Sequence, residues 1–227
     1  SRGVILPLRC CAPAELAEDE MTRLPIDQRR RQLVRAALAV ATREGLDRTT
    51  MRAIAAEAGV ALGVLHYCFT DKAEILRAVA HHIHTTGLDV ALAAVGRQEP
   101  DRLVASVVEA YVAMVVVAPR RYQLEFELAL ASLRDPELAG LAADRQATKL
   151  MNARAVLEAI ADRAGLVWSV PVDVLARRLA IEIDGAVLAW LIDRDDVALA
   201  VALHDTGGRL RAFGQAATEA VSPSPVP

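Results

Sequence analysis

Residues 50–72, TMRAIAAEAGVALGVLHYCFTDK, decide how the chain is read. Thr50 is placed to cap a short helix by accepting from an early backbone N–H, and Ile54, Ala55 and Ala58 then supply a narrow apolar stripe. Gly59 follows where a backbone often needs positive φ, Val60 resumes apolar packing, and a second helix begins over Leu62 to Tyr67. Helix, glycine turn and helix together make a helix-turn-helix. Asp71 and Glu74 then form a capping-box-like pair that opens a long helix over about 72–95.

The order Thr50, Ile54-Ala55, Ala58-Gly59-Val60, Gly63, Leu65, Tyr67, Phe69, Lys72 resembles the DNA-binding domain of the TetR family of transcriptional repressors, over about residues 26–84. It departs from the family pattern at Ala61, where a Ser cap is common, and at His66 and Cys68, where Tyr and His are common. The resemblance implies a dimeric repressor that binds DNA through this motif and carries a small-molecule pocket among its middle helices.

Composition points the same way for the fold. The chain has 227 residues, 54% of them hydrophobic, enough for a substantial core; aromatics are only 4%, so that core is built from Ala, Val and Leu. Ala and Leu favour helices, Gly and Pro fall mostly at segment ends, and no long stretch alternates with period two. An all-α protein of about nine helices is expected. The net charge of −3 hides an asymmetry: residues 23–83 hold ten Lys/Arg against six Asp/Glu, a net +4, so the rest carries −7. The basic part coincides with the helix-turn-helix.

Three cysteines, Cys10, Cys11 and Cys68, are too few and too badly spaced for a disulfide framework or a zinc site, which fits a cytoplasmic protein. The longest apolar run, Ala110 to Ala118, is about half of a membrane span. No membrane partner and no cofactor are expected.

The organisation expected is an N-terminal arm over 1–24, a helix-turn-helix domain over 25–71, a helical effector-binding and dimerisation domain over 72–217, and a tail over 218–227. The first helix runs over about 26–44, with Leu33, Ala37, Val40 and Ala41 on one face and Arg29, Arg30, Arg31 and Arg35 largely on others. Its arginine-rich start reads equally as a solvated helix end or as phosphate contacts. Beyond the long helix, segments are expected over 101–117 (ended by Pro119), 120–133, 137–164 (ended by Gly165), 172–194, and from Asp195-Asp196 to about Ala217.

As a recognition helix, residues 62–67 present Ala61, Leu62, Gly63, Val64 and His66 toward a major groove, Leu62 and Val64 toward thymine methyls and His66 toward a base or phosphate. The resemblance implies phosphate contacts at Thr50, Tyr67 and Lys72, and Arg52 joins them as a candidate. For the pocket, the larger side chains are Tyr111, Met114, Phe126, Met151 and Trp168, with His84, Glu125 and Asp184 as polar anchors and a hydrophobic or amphipathic effector.

The helix over 172–194 has two apolar stripes. Val174, Ile181, Gly185, Leu188 and Ile192 make the first, Leu175, Leu179, Ile183, Ala186 and Trp190 the second, one more than its own domain requires. With Leu199, Leu203, Gly207 and Leu210 of the last helix, the first stripe is expected to build a four-helix interface between two subunits.

Two other readings stand beside this one. A dimeric DNA-binding regulator without an effector would have a solid second half. A helical metal enzyme would draw on His81, His82 and His84, but no Glu is followed three residues later by His, and no GxSxG, P-loop or dinucleotide fingerprint occurs.

Overall fold

The computed structural model describes residues 24–96, 99 and 102–216. Cys10, Cys11, the tail over 218–227 and all of the arm but Leu24 lie outside the described residues. Nine α-helices are described: α1 (Ile26–Glu44), α2 (Met51–Glu57), α3 (Leu62–Cys68), α4 (Lys72–Gly96), α5 (Leu103–Val117), α6 (Pro119–Ser132), α7 (Leu141–Ala164), α8 (Val172–Asp193) and α9 (Asp196–Arg211). The protein is all-α in its framework, as its composition requires.

Local chemistry sets the first four helices. Gly45, at φ +84°, ends α1, and its N–H donates to the Ala41 carbonyl. The Thr50 hydroxyl accepts from the Ala53 N–H at 3.1 Å and caps α2. At the turn, Gly59 adopts φ +66°, which a side chain would strain, and Val60 N–H donates back to the Ala55 carbonyl at 3.0 Å. Gln32 Nε2 reaches across from α1 to the Ala58 carbonyl at 2.8 Å, fixing the turn against it. Asp71 caps α4 by accepting from the Glu74 N–H at 2.7 Å. The return half of a capping box is displaced by one residue, because the Glu74 carboxylate accepts from the Thr70 N–H and hydroxyl instead.

Arg30 takes a structural role. Its guanidinium donates to the Cys68 carbonyl, pairs with Glu74 at 2.8 Å and lies 4.1 Å from the centre of the Phe69 ring. It therefore ties α1 to the end of α3 and the start of α4. Thr70 and Arg30 together hold the Glu74 carboxyl below its usual range. Arg29 is also buried, with Gln32 at 2.7 Å, so of the arginine run only Arg31 and Arg35 face out.

One core runs from Leu33 and Ala37 through Ile54, Leu65 and Phe69 into Ile75 and Val79 of α4, and onward to Leu124 and Leu128 of α6. The reading head is thus welded to the helices behind it by burial of side chains each worth about 1.5–3 kcal/mol. A second core joins α5, α6, α8 and α9 around Val115, Tyr122, Val187 and Trp190.

Several boundaries differ from the sequence expectation. Pro119 begins α6 rather than merely ending α5, its ring being tolerated at the first helical position, and the chain turns through 87° there. The segment over 137–164 is broken: a 3₁₀ turn spans Pro136–Leu138, Gly140 at φ +86° interrupts the chain, and α7 starts at Leu141. The last helix stops at Arg211. The chain then pairs as a strand, Gly214–Ala216, with Leu166–Trp168 in antiparallel register, Trp168 opposite Gly214. Among the described residues no single helix is long and apolar enough to cross a membrane.

Helix α9 packs on α5 with its Leu199, Leu203, Gly207 and Leu210 side buried, so these four residues belong to the subunit's own interior and not to an outer interface. At Gly207 a Cβ would lie 2.4 Å from Val104 Cγ1, which is why the helices approach so closely there. Gly207→Ala is expected to cost about 1–3 kcal/mol through overpacking against the branched Val104 side chain. Urea denaturation checks this, and an unchanged midpoint would mean that α5 and α9 have room to spare.

Candidate DNA interface and a buried cavity

The recognition helix is anchored by two side chains. Leu65 and Cys68 are buried, so the opposite side of α3 is turned out. Gly63, His66 and Tyr67 are exposed, Tyr67 to 79%. Thr50, Arg52 and Ala61 are exposed as well; Ala61 precedes α3 in extended conformation without a side-chain cap. Leu62 and Val64 are half-buried, and Leu62 packs against the N-terminal core. Lys72 is placed differently from a free phosphate contact: its ammonium donates to the Leu46 carbonyl at 2.8 Å and pins the start of α4 to the α1–α2 loop. A groove between α1 and the motif is lined by Arg31, Arg35, Ala61, Gly63, Val64 and Tyr67.

A cavity of about 180 Å³ lies farther along, between α4, α5, α6, α7, α8 and α9. Of the residues singled out from sequence, His84, Tyr111, Met114, Glu125 and Trp168 line it. Phe126 packs in the α5–α8 core with the Arg145 guanidinium 5.6 Å from its ring centre, and does not line the cavity. Met151 is 61% exposed on α7 and points elsewhere. Asp184 is half-buried behind the wall, paired with Lys149. Leu203, Gly207 and Leu210, expected at an outer interface, line the cavity instead.

Sequence reading missed Lys149 and Asn152 of the wall. Arg145 and Lys149 stand one helical turn apart on α7, a spacing that places two cations on one face, and this was the available signal. Arg145 pairs with Glu125 at 2.8 Å, and Lys149 lies 3.6 Å from the same carboxylate. Burial works to raise the Glu125 carboxyl, but Lys149 and Arg145 outweigh it and hold it below its ordinary range. Burial lowers Lys149 to about 8 and His84 to about 4, so the imidazole is neutral at physiological pH. Burial also pushes the Tyr111 phenol upward. Among the described residues, no three His, Cys, Asp or Glu side chains converge as metal ligands; His81 is exposed and His84 belongs to the cavity.

The outward stripe of α8 is left without a partner within the subunit. Val174, Ile181, Leu188 and Ile192 are exposed, Ile181 to 61% and Ile192 to 80%, with Gly185 between them. On α9 the exposed apolar residues are Val197 and Val201, a face the sequence reading did not choose.

Comparison with known proteins agrees with this architecture. Residues 33–79 match the family described as bacterial regulatory proteins, tetR family. The HTH-type nicotine-responsive transcriptional repressor HdnoR of Paenarthrobacter nicotinovorans is 27% identical over 175 residues, 77% of this chain and 89% of that protein. The multidrug binding protein EbrR, solved in complex with imidazole, superposes with a TM-score of 0.56 at 25% identity, covering 78% of this chain and 94% of EbrR. A transcriptional regulator from Rhodococcus sp. Rha1 shares the fold, with a TM-score of 0.63 at 20% identity over 82% of this chain and 97% of that one. Residues 33–79, with the motif and its exposed second helix, thus match the DNA-binding domain of the tetR family of bacterial regulatory proteins, and the helical body behind it shares the fold of solved transcriptional regulators.

Proposed function

We propose that the protein is a repressor that binds a palindromic operator as a homodimer and is released by a small hydrophobic effector. The observation that carries this reading is the path of α4. Its first turns pack in the core beneath the recognition helix, and His84, Gly87, Leu88 and Ala91, farther along the same helix, line the cavity. An occupant of the cavity therefore presses on the element that carries the reading head. Side chains from the body also grip α4 there, Arg121 through the Ile83 carbonyl at 3.1 Å and Asn152 through the His84 carbonyl at 3.1 Å. The effector acts by binding better to a conformation whose two recognition helices are wrongly spaced for DNA.

At the duplex, Gly63 has no neighbour within 4 Å that would forbid a side chain, so the fold itself does not demand glycine. Its role is to let α3 approach base edges, with His66 and Val64 beside it and Thr50, Arg52 and Tyr67 toward the phosphates. HdnoR is named as nicotine-responsive and EbrR as multidrug binding; those properties support an effector for this chain.

Fluorescence anisotropy with a duplex selected from a random library tests the DNA half of the proposal. Arg31, Arg35 and Arg52 of each subunit, all exposed, supply about six arginine–phosphate contacts per dimer, which predict an affinity that falls roughly 10³-fold between 50 and 200 mM salt. Selection that yields no inverted repeat, or binding insensitive to salt, would refute it. The effector half fails if compounds that bind the cavity leave operator affinity unchanged.

A further inference from the structure

One end of the cavity holds two polar groups that almost meet. His84 Nε2 is buried with no hydrogen-bond partner among the described residues, and it faces Glu125 Oε1 at 3.9 Å. That gap exceeds the roughly 2.7–3.2 Å of a hydrogen bond. Both side chains are more than nine-tenths buried and both line the cavity. Since the imidazole is neutral, the neighbouring carboxylate favours the tautomer with its hydrogen on Nε2. A buried N–H left unpaired costs about 1–3 kcal/mol. Trp168 contributes a second such donor on the same lining, its indole N–H also without a partner.

We propose that the cavity takes a neutral, ring-sized molecule carrying a hydroxyl, whose oxygen sits between His84 and Glu125, accepting from the imidazole N–H and donating to the carboxylate. This rests on the reading of the cavity as an effector site. A single oxygen about 2.8 Å from each group fits the separation. Among the oxygen functions a neutral organic ring can carry, a hydroxyl is the one that accepts and donates at a single atom, as a water would. A carbonyl or ether would turn lone pairs on the carboxylate, an ammonium would leave the imidazole N–H unmet, and an anion would face Glu125 directly. The charges around His84 already balance, Glu125 and Asp184 against Arg145 and Lys149, and Arg211, the other charged residue of the lining, is exposed to solvent, so a charged occupant between His84 and Glu125 would be buried uncompensated. Most of the rest of the wall is apolar, including Leu88, Val108, Met114, Val156 and Ile183, with Asn152, Thr206 and Arg211 as further polar residues. Its volume of about 180 Å³ is close to that of a cavity of about 150 Å³ that holds benzene.

Calorimetric titration of the full chain with phenol, toluene, benzoate and benzylamine tests the assignment. Phenol is expected to bind at least about tenfold more tightly than toluene, because toluene leaves the buried N–H and carboxylate unmet. His84→Phe is expected to remove that preference, and His84→Gln, which keeps an N–H donor, to retain it. Equal affinity of the wild-type protein for phenol and toluene would overturn the hydroxyl assignment while leaving the effector site standing; that is also the result expected where a water bridges the two groups. Tighter binding of benzoate or benzylamine than of phenol would overturn the neutrality of the ligand. Binding of none of the four would overturn the proposal together with a ring-sized effector. Where both variants fail to fold, the wild-type comparison of phenol with toluene still decides.

Discussion

Ile181→Glu on the outer face of α8 is expected to yield a folded monomer that has lost tight operator binding. Ile181 is 61% exposed and makes no part of any described core, so within the subunit the substitution places a charge in water at little cost. In the proposed dimer the same residue sits on the stripe shared with Val174, Leu188 and Ile192, and a carboxylate from each subunit would be buried beside its symmetry mate. Without the second reading head, an operator loses the avidity of two coupled half-sites, about 10²–10⁴-fold. Sedimentation of the variant and anisotropy with the selected duplex measure both consequences. A variant that remains dimeric and binds DNA normally would place the subunit contact elsewhere, and a wild-type protein that is itself monomeric would remove the twofold from the account.

Glu125→Gln is expected to be the most destabilising change in the body, by about 3–5 kcal/mol. Glu125 is buried between two cations, Arg145 at 2.8 Å and Lys149 at 3.6 Å. Its removal leaves both with Asp184 alone, so the buried cluster gains one uncompensated positive charge. The deficit depends on pH through Lys149. Its folded pKa is already lowered to about 8, below the ordinary 10.5, by burial, and Glu125 is the group that holds it up. In the variant it falls further, and the unfolded chain then binds more protons than the folded one over a wider range below 8. Through Lys149, stability of the variant therefore rises with pH in that range while that of the wild type does not; the lowered His84 adds a rise below about 6.5 to both proteins. The deficit should be largest in mildly acidic solution and narrow as pH climbs toward 8. Urea denaturation of both proteins across that range checks the sign, and a deficit under about 1 kcal/mol would show that the cluster relaxes or hydrates freely.

Several functional assignments changed because side chains with the right chemistry had been recruited inside. Arg30 and Lys72 look in sequence like cations available to phosphates, yet Arg30 spans Cys68, Phe69 and Glu74, and Lys72 binds the Leu46 carbonyl. Nothing local distinguishes such a lysine from a solvated one, since its partner is 26 residues away. Met151 and Phe126 failed as cavity residues for a related reason. Both lie on helices with apolar residues on more than one side, and periodicity records that a face is apolar without recording what covers it. Helix α9 shows the same ambiguity: Leu199, Leu203 and Leu210 turned inward against α5 and the cavity, leaving Val197 and Val201 outside. The strand pair was invisible because three residues, Leu166–Trp168, are too few to show a period, and their partner strand lies 48 residues on at Gly214.

What the sequence by itself determined was everything governed by neighbours in the chain: the Thr50 cap, the Gly59 turn, the two short helices of the motif, the long helix opened by Asp71, and the all-helical framework. Each depends on interactions within a few residues, which hydrogen-bond geometry and backbone sterics fix before any packing occurs. Only the tertiary structure decided which apolar faces are inside, that Glu125, Arg145, Lys149 and Asp184 form one buried cluster, and that His84 and Trp168 bring unpaired donors to the same cavity. Those facts depend on where distant helices cross, and burial and charge pairing are set by what ends up opposite a side chain in space.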